Sequence, residues 1–403
     1  MMTIRLVLLL VRLSLGLVSI VCASLVLFRA PTKTLWKLAI GATEWGHLLA
    51  IVALVPLFPG WRRTWIGRFG AILGGSSALI LLTPLLRAFL VARRLPRAMS
   101  VAFEEANAHI TGENTLRSAP LKPLHLLWGV PFSRGTCESR TYMIRNDTTL
   151  SLDVYPPLDA RDKAPCVIVI HGGSWHHGTS KDLAPLNHYL AAHGYFVASI
   201  NYRLAPHHPF PAARDDVQTA IRYLRANSEE LGLDPQRIIL IGRSSGAHLA
   251  LLVAYTADDP SILGVVSFYG PPDLQYSYEH PSKYPAVFDT RRVLTTFMGG
   301  SLEQIPAVYG EASPINYVGR RTPPTLLIHG GRDEFVDLQE IERLAQRLER
   351  VAVPYFLLCL PWATHGGDFN FSGPSGQIST YAIEHFLAAV VQNSMSNEQG
   401  VAG

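Results

Sequence analysis

Two textures of sequence follow one another along this chain. In residues 1–97 the apolar positions come in long runs. Residues 6–28 are apolar apart from Arg12 and a few small polar residues; 45–61 carry no charge but include His47, Pro56 and Pro59; 69–86 are uncharged, with Gly74-Gly75 and Pro84. A membrane-crossing helix needs about 20 mainly apolar residues, so two or three transmembrane helices are expected. From Thr136 onward the runs shorten and alternate with amphipathic stretches. Residues 139–144 and 150–155 read as short strands around an Asn146-Asp147 turn. Residues 165–170, PCVIVI, are continuously apolar and read as a central strand. Further strands are expected at 195–200, 238–241, 262–268, 325–329 and 355–360, and helices at 181–193, 212–228, 338–350 and 379–391. Strands alternating with helices predict an α/β domain with a doubly wound, mostly parallel sheet. The expected division is an anchor at 1–97, a linker at 98–136, the α/β domain at 137–392 and a flexible tail at 393–403.

Charge sharpens that division. Residues 1–97 hold 12 Lys/Arg and one acid, Glu44, for a net +11; the remainder holds 23 Lys/Arg and 30 Asp/Glu, for a net −7. The overall +4 therefore joins two unlike regions. It gives no support to a nucleic-acid partner, because the positive charge flanks hydrophobic runs as membrane-bordering charge does. The contact it implies is with membrane lipid through residues 1–97. A cleaved signal peptide is disfavoured: Arg12 interrupts the apolar region, and no small-x-small site precedes soluble composition. Four cysteines, at 22, 137, 166 and 359, do not make a disulfide framework. Cys166 and Cys359 fall in expected strands and should be buried; Cys137 should be accessible.

The candidate chemistry lies where the strands end. Residues 238–250, IILIGRSSGAHLA, run from a buried strand through a G-x-S-x-G turn into a helix. Such a turn projects Ser244 from the carboxyl end of the sheet and leaves the Ser245 N–H free to face a developing oxyanion. His171-Gly172-Gly173-Ser174-Trp175 follows the strand at 165–170, and its paired glycines let backbone N–H groups approach a ligand. Asp333 lies just past the strand at 325–329, with Glu334 and Asp337 as competitors; His365 lies just past the last strand. Ser, Asp and His in this chain order suit a nucleophile, an orienting acid and a general base. The expected oxyanion donors are Gly172, Gly173 and Ser245. His176-His177 and His207-His208 read as surface loop residues. No H-E-x-x-H or similar pattern points to a metal, and no cofactor is implied.

These motifs carry a resemblance. HGGSW at 171–175, NYRLAP at 201–206, FPAARDD at 210–216, DPQRIILIGRSSGAHLA at 234–250 and the surroundings of Asp333 and His365 resemble the α/β-hydrolase superfamily. The likeness is to its serine esterases around hormone-sensitive lipase, arylacetamide deacetylase, kynurenine formamidase and the bacterial feruloyl-esterase-like group. It implies the α/β-hydrolase fold, cleavage of carboxylic esters of small to medium lipophilic substrates through an acyl-enzyme, and a structural pair between Arg203 and Asp215 or Asp216. It also admits an amide or formamide hydrolase with the same three residues. A non-catalytic membrane binding module on the same fold is the reading from another class, and would predict a missing member of the three. Two departures stand out. Arg243 and Ser245 flank the serine where the hormone-sensitive lipase pattern has Asp and Ala, and Ser174 replaces a third glycine. The insertion near 273–317 is rich in aromatic residues and reads as a cap. Trp175, Arg243, Tyr276 and Phe297 are the candidates to line a substrate pocket.

If all three runs span, Arg29, Lys33, Lys37, Arg87, Arg93, Arg94 and Arg97 share the side of the α/β domain. Arg5, Arg62, Arg63 and Arg68 lie opposite, joined by Arg12 if the first span begins after it. The Lys/Arg excess then places the domain in the cytoplasm.

Overall fold

The computed structural model describes residues 2–57, 64–103, 116–145, 148–159 and 163–401. The end of the second apolar run, Arg62 and Arg63, residues 104–115 of the expected linker, the Asn146-Asp147 turn and residues 402–403 of the expected tail lie outside the described residues. The chain begins with helices α1 (Met2–Leu27), α2 (Lys33–Glu44), α3 (Gly46–Ala53) and α4 (Trp65–Phe103), followed by the short α5 (Pro123–Trp128). Then come β1 (Glu138–Arg145), β2 (Thr148–Tyr155), β3 (Ala164–Ile170), α6 (Ala184–Ala192), β4 (Phe196–Ile200), α7 (Ala212–Ala226), α8 (Ser228–Leu231), β5 (Leu233–Arg243), α9 (Ser245–Thr256) and β6 (Ile262–Phe268). The insertion folds as α10 (Leu274–Glu279), α11 (Thr290–Met298) and α12 (Pro306–Glu311). The domain closes with β7 (Thr325–Gly330), α13 (Leu338–Arg350), β8 (Tyr355–Leu360) and α14 (Pro374–Val401).

The eight strands form one sheet in the order β1-β2-β4-β3-β5-β6-β7-β8. The β1–β2 and β2–β4 pairings are antiparallel and all others are parallel. Side chains alternate between faces along a strand, and β3 shows it: Cys166, Ile168 and Ile170 enter one core layer, Val167 and Val169 the other. The first layer is closed by α7, α9, α13 and the insertion, the second by α6, α14 and the last turns of α4. Strand β5 starts before its apolar run because Leu233 and Asp234 pair with Ala164 and Pro165 ahead of a register shift.

Three expectations change. The boundary at 97 falls inside α4, whose Met99 and Phe103 are buried in the α/β core. Helix α14 continues to Val401, so residues 393–401 of the expected tail are helical. Cys359 is only half-buried.

In the second apolar run α3 ends at Ala53 and a 3-10 turn follows at Val55–Leu57, and α2 meets this stretch at an 86° bend. Helices α1 and α4 are long and apolar enough to cross a membrane. They pack with α2 and α3 around small residues, Ala23 of α1, Ala50 and Ala53 of α3 and Ala78 of α4 among them. Outward, Val18, Ile51, Ile72, Leu79 and Leu86 are more than half exposed. The helical segment is fastened to the α/β domain at several points. The carboxylate of Glu44 accepts from Ser375 N at 3.1 Å and Ser375 Oγ at 2.6 Å, and Trp362 Nε1 donates to the same hydroxyl at 3.0 Å. Ala30 N donates to Glu334 Oε1 at 3.3 Å, and Arg332 reaches the carbonyl of Val26.

Candidate active site

The site is built on the turn from β5 into α9. Ser244 sits there at φ 52°, ψ −120°, a strained conformation for a residue with a side chain. The turn closes only because residues 242 and 246 lack a Cβ. One at Gly242 would land on the Gly246 carbonyl, and one at Gly246 on the carbonyls of Ile170 and His171. Ser244 Oγ lies 3.0 Å from His365 Nε2, and His365 Nδ1 lies 2.7 Å from Asp333 Oδ2. The other oxygen of Asp333 accepts from Phe335 N at 2.7 Å and Val336 N at 3.0 Å. Burial works against the Asp333 carboxylate, but His365, His329 and the Val336 N–H outweigh it and hold its pKa below the ordinary value. The structure thus brings together Ser244, His365 and Asp333. Of the competing acids, Glu334 turns toward Ala30 and Asp337 caps α13 through Gln339 N.

The His365 ring is clamped. Phe335 stacks on it at 4.3 Å with 5° between planes, and Tyr269 approaches to 4.4 Å. Tyr269 donates to Asp368 Oδ1 at 2.5 Å, and Arg243 Nε donates to Asp368 Oδ2 at 2.6 Å. Burial, with Asp368 adding to it, pushes the Tyr269 phenol well above its ordinary range, so it remains a donor. Arg243, the departure beside the serine, therefore has its countercharge in Asp368. From outside the domain, Trp36 Nε1 on α2 donates to the His365 carbonyl at 3.1 Å.

The backbone N–H groups of Gly172, Gly173 and Ser245 have no acceptor among the described residues. A Cβ on Gly172 would stand 3.3 Å from that of Ser244, so this loop runs directly beside the hydroxyl. Arg203 pairs with Asp216, Nη2 to Oδ1 at 2.7 Å, whereas Asp215 pairs with Arg214.

Two cavities meet at Ser244. One of about 370 Å³ is lined by Trp36, Asp182, Leu183, Arg243, Tyr269, Phe335, His365 and Phe369, together with residues 171–174, His177 and Gly178. The other, about 20 Å³, lies toward the insertion between Trp175, Phe288, Leu294 and Val336. Of the four expected pocket residues, Trp175 lines the small cavity and Arg243 the large one. Phe297 does not reach either; it lies behind Trp175, stacked on it at 4.3 Å. Tyr276 is elsewhere, packed on His280 at 4.0 Å beneath Arg343. His177, expected only as a surface residue, is exposed at the rim of the large cavity.

Sequence reasoning missed Trp36, Tyr269, Phe335 and Phe369, and also His248. That histidine is fully buried, which pushes its pKa down to about 4 against the pull of the Ala312 carbonyl. Neutral, it donates from Nε2 to Ala312 O at 2.7 Å and accepts Trp175 Nε1 on Nδ1 at 3.3 Å, which fixes the Trp175 ring. Phe335 carried a usable signal, being two residues from Asp333; Trp36 carried none. Among the described residues no group of three or more His, Cys, Asp or Glu could hold a metal ion.

Similar proteins agree with this architecture. The BD-FAE family model matches residues 152–348. The bacterial heroin esterase structure covers 65% of this chain and 86% of its own at TM-score 0.55 and 22% identity. A fungal esterase from Rhizomucor miehei covers 65% and 87% at TM-score 0.56 and 19% identity. The chain has the α/β-hydrolase fold. The hydrolase domain is similar to Esterase LipC of Mycobacterium tuberculosis, 35% identical over 62% of this chain and 65% of LipC. It is also similar to the probable carboxylic ester hydrolase LipM of the same organism, 30% identical over 59% of this chain and 58% of LipM. The chain thus spans less than two thirds of the length of these relatives.

Proposed function

We propose that this α/β-hydrolase is a membrane-anchored serine esterase that cleaves carboxylic esters of small to medium lipophilic substrates through an acyl-enzyme. The observation that carries the reading is the hydrogen-bonded line from Ser244 through His365 to Asp333, beside three backbone N–H groups without acceptors among the described residues. The esterase relatives support it. Ser244 Oγ attacks the ester carbonyl as its proton passes to His365 Nε2. Asp333 holds the imidazole with its proton on Nδ1 and stabilises the imidazolium. The N–H groups of Gly172, Gly173 and Ser245 receive the oxyanion. His365 then returns the proton to the departing alkoxide, and water repeats the cycle on the acyl-enzyme.

The anchor reading is supported by the outward apolar faces of α1 and α4. Helix α3, at 8 residues, rises only about 12 Å, against a hydrocarbon core of about 30 Å. It therefore enters rather than crosses alone. Arg29 and Arg87 both bear on Arg332 of the α/β domain. With these charges on the side of that domain, the Lys/Arg excess supports a cytoplasmic active site.

The test uses the full chain in detergent micelles with 4-nitrophenyl acetate and a fluorophosphonate probe. Wild type should turn over the ester and take the label, and Ser244→Ala should do neither while keeping its circular dichroism spectrum. A Ser244→Ala protein that labels like wild type would remove the nucleophile from this reading.

A further inference from the structure

The two cavities at Ser244 differ in size and in which one holds the base. Only the cavity of about 370 Å³ includes His365 in its wall. The base that takes the serine proton later gives it to the leaving group, so the alcohol of the ester must lie on the His365 side. The acyl group is left with the other side, where about 20 Å³ remains between Trp175, Leu294 and Val336. One water needs roughly 10–15 Å³ by this measure, so there is room for an acyl chain of one or two carbons beyond the carbonyl. That narrow end is held rigid: Trp175 is stacked on Phe297 and hydrogen-bonded to His248.

The large side has a wall that the hydrolase domain does not supply. Trp36 of α2 borders the cavity, 4.9 Å from the Phe335 ring and 6.4 Å from Phe369. Its Nε1 is tied to the His365 carbonyl, and the foot of its helix is tied to Ser375 through Glu44. We propose that Trp36 is a specificity-determining residue on the leaving-group side, and that the preferred substrates join a short acyl group to a bulky apolar alcohol held against this amino-terminal wall. This rests on the serine-esterase reading. The amino-terminal segment that carries the anchor then also shapes the alcohol site.

The experiment uses the full chain in lipid nanodiscs and two substrate series. One lengthens the acyl group: 4-nitrophenyl acetate, butyrate and octanoate. The other enlarges the alcohol at constant acetyl: methyl, hexyl, decyl and 1-naphthyl acetate. In wild type, kcat/KM should fall by about tenfold or more from acetate to octanoate, the scale on which a filled apolar pocket discriminates, and should rise along the alcohol series. Trp36→Ala should lower the ratio of 1-naphthyl to methyl acetate kcat/KM by about tenfold. Trp36→Phe keeps an aromatic wall but loses the bond to the His365 carbonyl, and should keep most of that ratio. Equal losses on every acetate in both variants would make Trp36 a support for His365 alone and overturn the proposal. So would a wild type that prefers octanoate, or one indifferent to the alcohol. Absence of both turnover and fluorophosphonate labelling in wild type would instead overturn the esterase reading, and the proposal with it.

Discussion

Replacing Asp333 by Asn tests the proposed chemistry because the surroundings dictate how the amide must lie. Asp333 Oδ1 accepts two backbone N–H groups, from Phe335 at 2.7 Å and Val336 at 3.0 Å. In Asp333→Asn the amide oxygen keeps those donors, and the NH2 group is driven toward His365 Nδ1, 2.7 Å from the present Oδ2. An NH2 group can only donate there. His365 is then held with its proton on Nε2, where it cannot take the serine proton. Turning the amide over would leave both backbone donors facing an NH2 group, at about 1–3 kcal/mol each. The competent arrangement is therefore a minor one and also lacks the carboxylate charge. Turnover should fall by roughly four orders of magnitude, about 5 kcal/mol of barrier. The assay is kcat on 4-nitrophenyl acetate in parallel with the rate constant of fluorophosphonate labelling, with thermal unfolding to show that the fold persists. Asp337→Asn, whose carboxylate only caps α13, is the control and should turn over like wild type. An Asp333→Asn protein within tenfold of wild type, or an Asp337→Asn protein more impaired than it, would refute the assignment of the acid.

Three further outcomes are expected. Glu334→Gln should keep wild-type turnover but change the pH dependence of stability. Burial raises the Glu334 carboxyl to about 7 in the folded chain from an ordinary 4.5, so folding stability declines as pH rises through this window and is level above it. The variant should lack up to roughly 3 kcal/mol of that decline, read as the wild-type-minus-variant difference in Tm from pH 4 to 8; parallel curves would contradict it. His248→Ala should destabilise by roughly 3–5 kcal/mol, from a cavity plus two partners left unpaired, the Ala312 carbonyl and Trp175 Nε1, measured by denaturant unfolding; a loss under 1 kcal/mol would mean that neither bond matters. A reporter active only after export, fused at Gly403, should stay silent in cells, and a strong signal would put the active site on the other side of the membrane.

What could be read from the sequence was local. The strand, turn and helix around Ser244 share one short stretch, and both glycines of the motif prove to be close-contact positions. Asp333 and His365 each follow a strand directly, and parallel strands bring their carboxyl ends to one edge of the sheet. The aromatic composition of the insertion showed that side chains pack there but not which way each points. Phe297 accordingly supports the pocket from behind and Tyr276 faces away, on the Arg343 side. Trp36 touches the carbonyl of a residue 329 positions later. No periodicity or spacing encodes a contact made by two separately folded stretches. Glu44 was visible as the lone acid of the first 97 residues, but its purpose appears only once Ser375 stands against it.

Helix α4 has a mechanical consequence. It is 39 residues long, about 58 Å at 1.5 Å per residue, so close to half of it extends beyond a hydrocarbon core of about 30 Å. That half is no tether. Ala88, Ala92, Leu95, Met99 and Phe103 are part of the hydrolase core, with Phe103 edge-on to Phe386 at 5.0 Å. In the anchored form the domain therefore cannot swing or tumble about a hinge at this junction. It rides on a stiff mast, its cavity mouth kept at one height and one tilt above the lipid. Severing the chain at residue 97 would pull Ala88, Ala92 and Leu95 out of the core along with the anchor, so the released piece would be a wounded domain rather than a freed one.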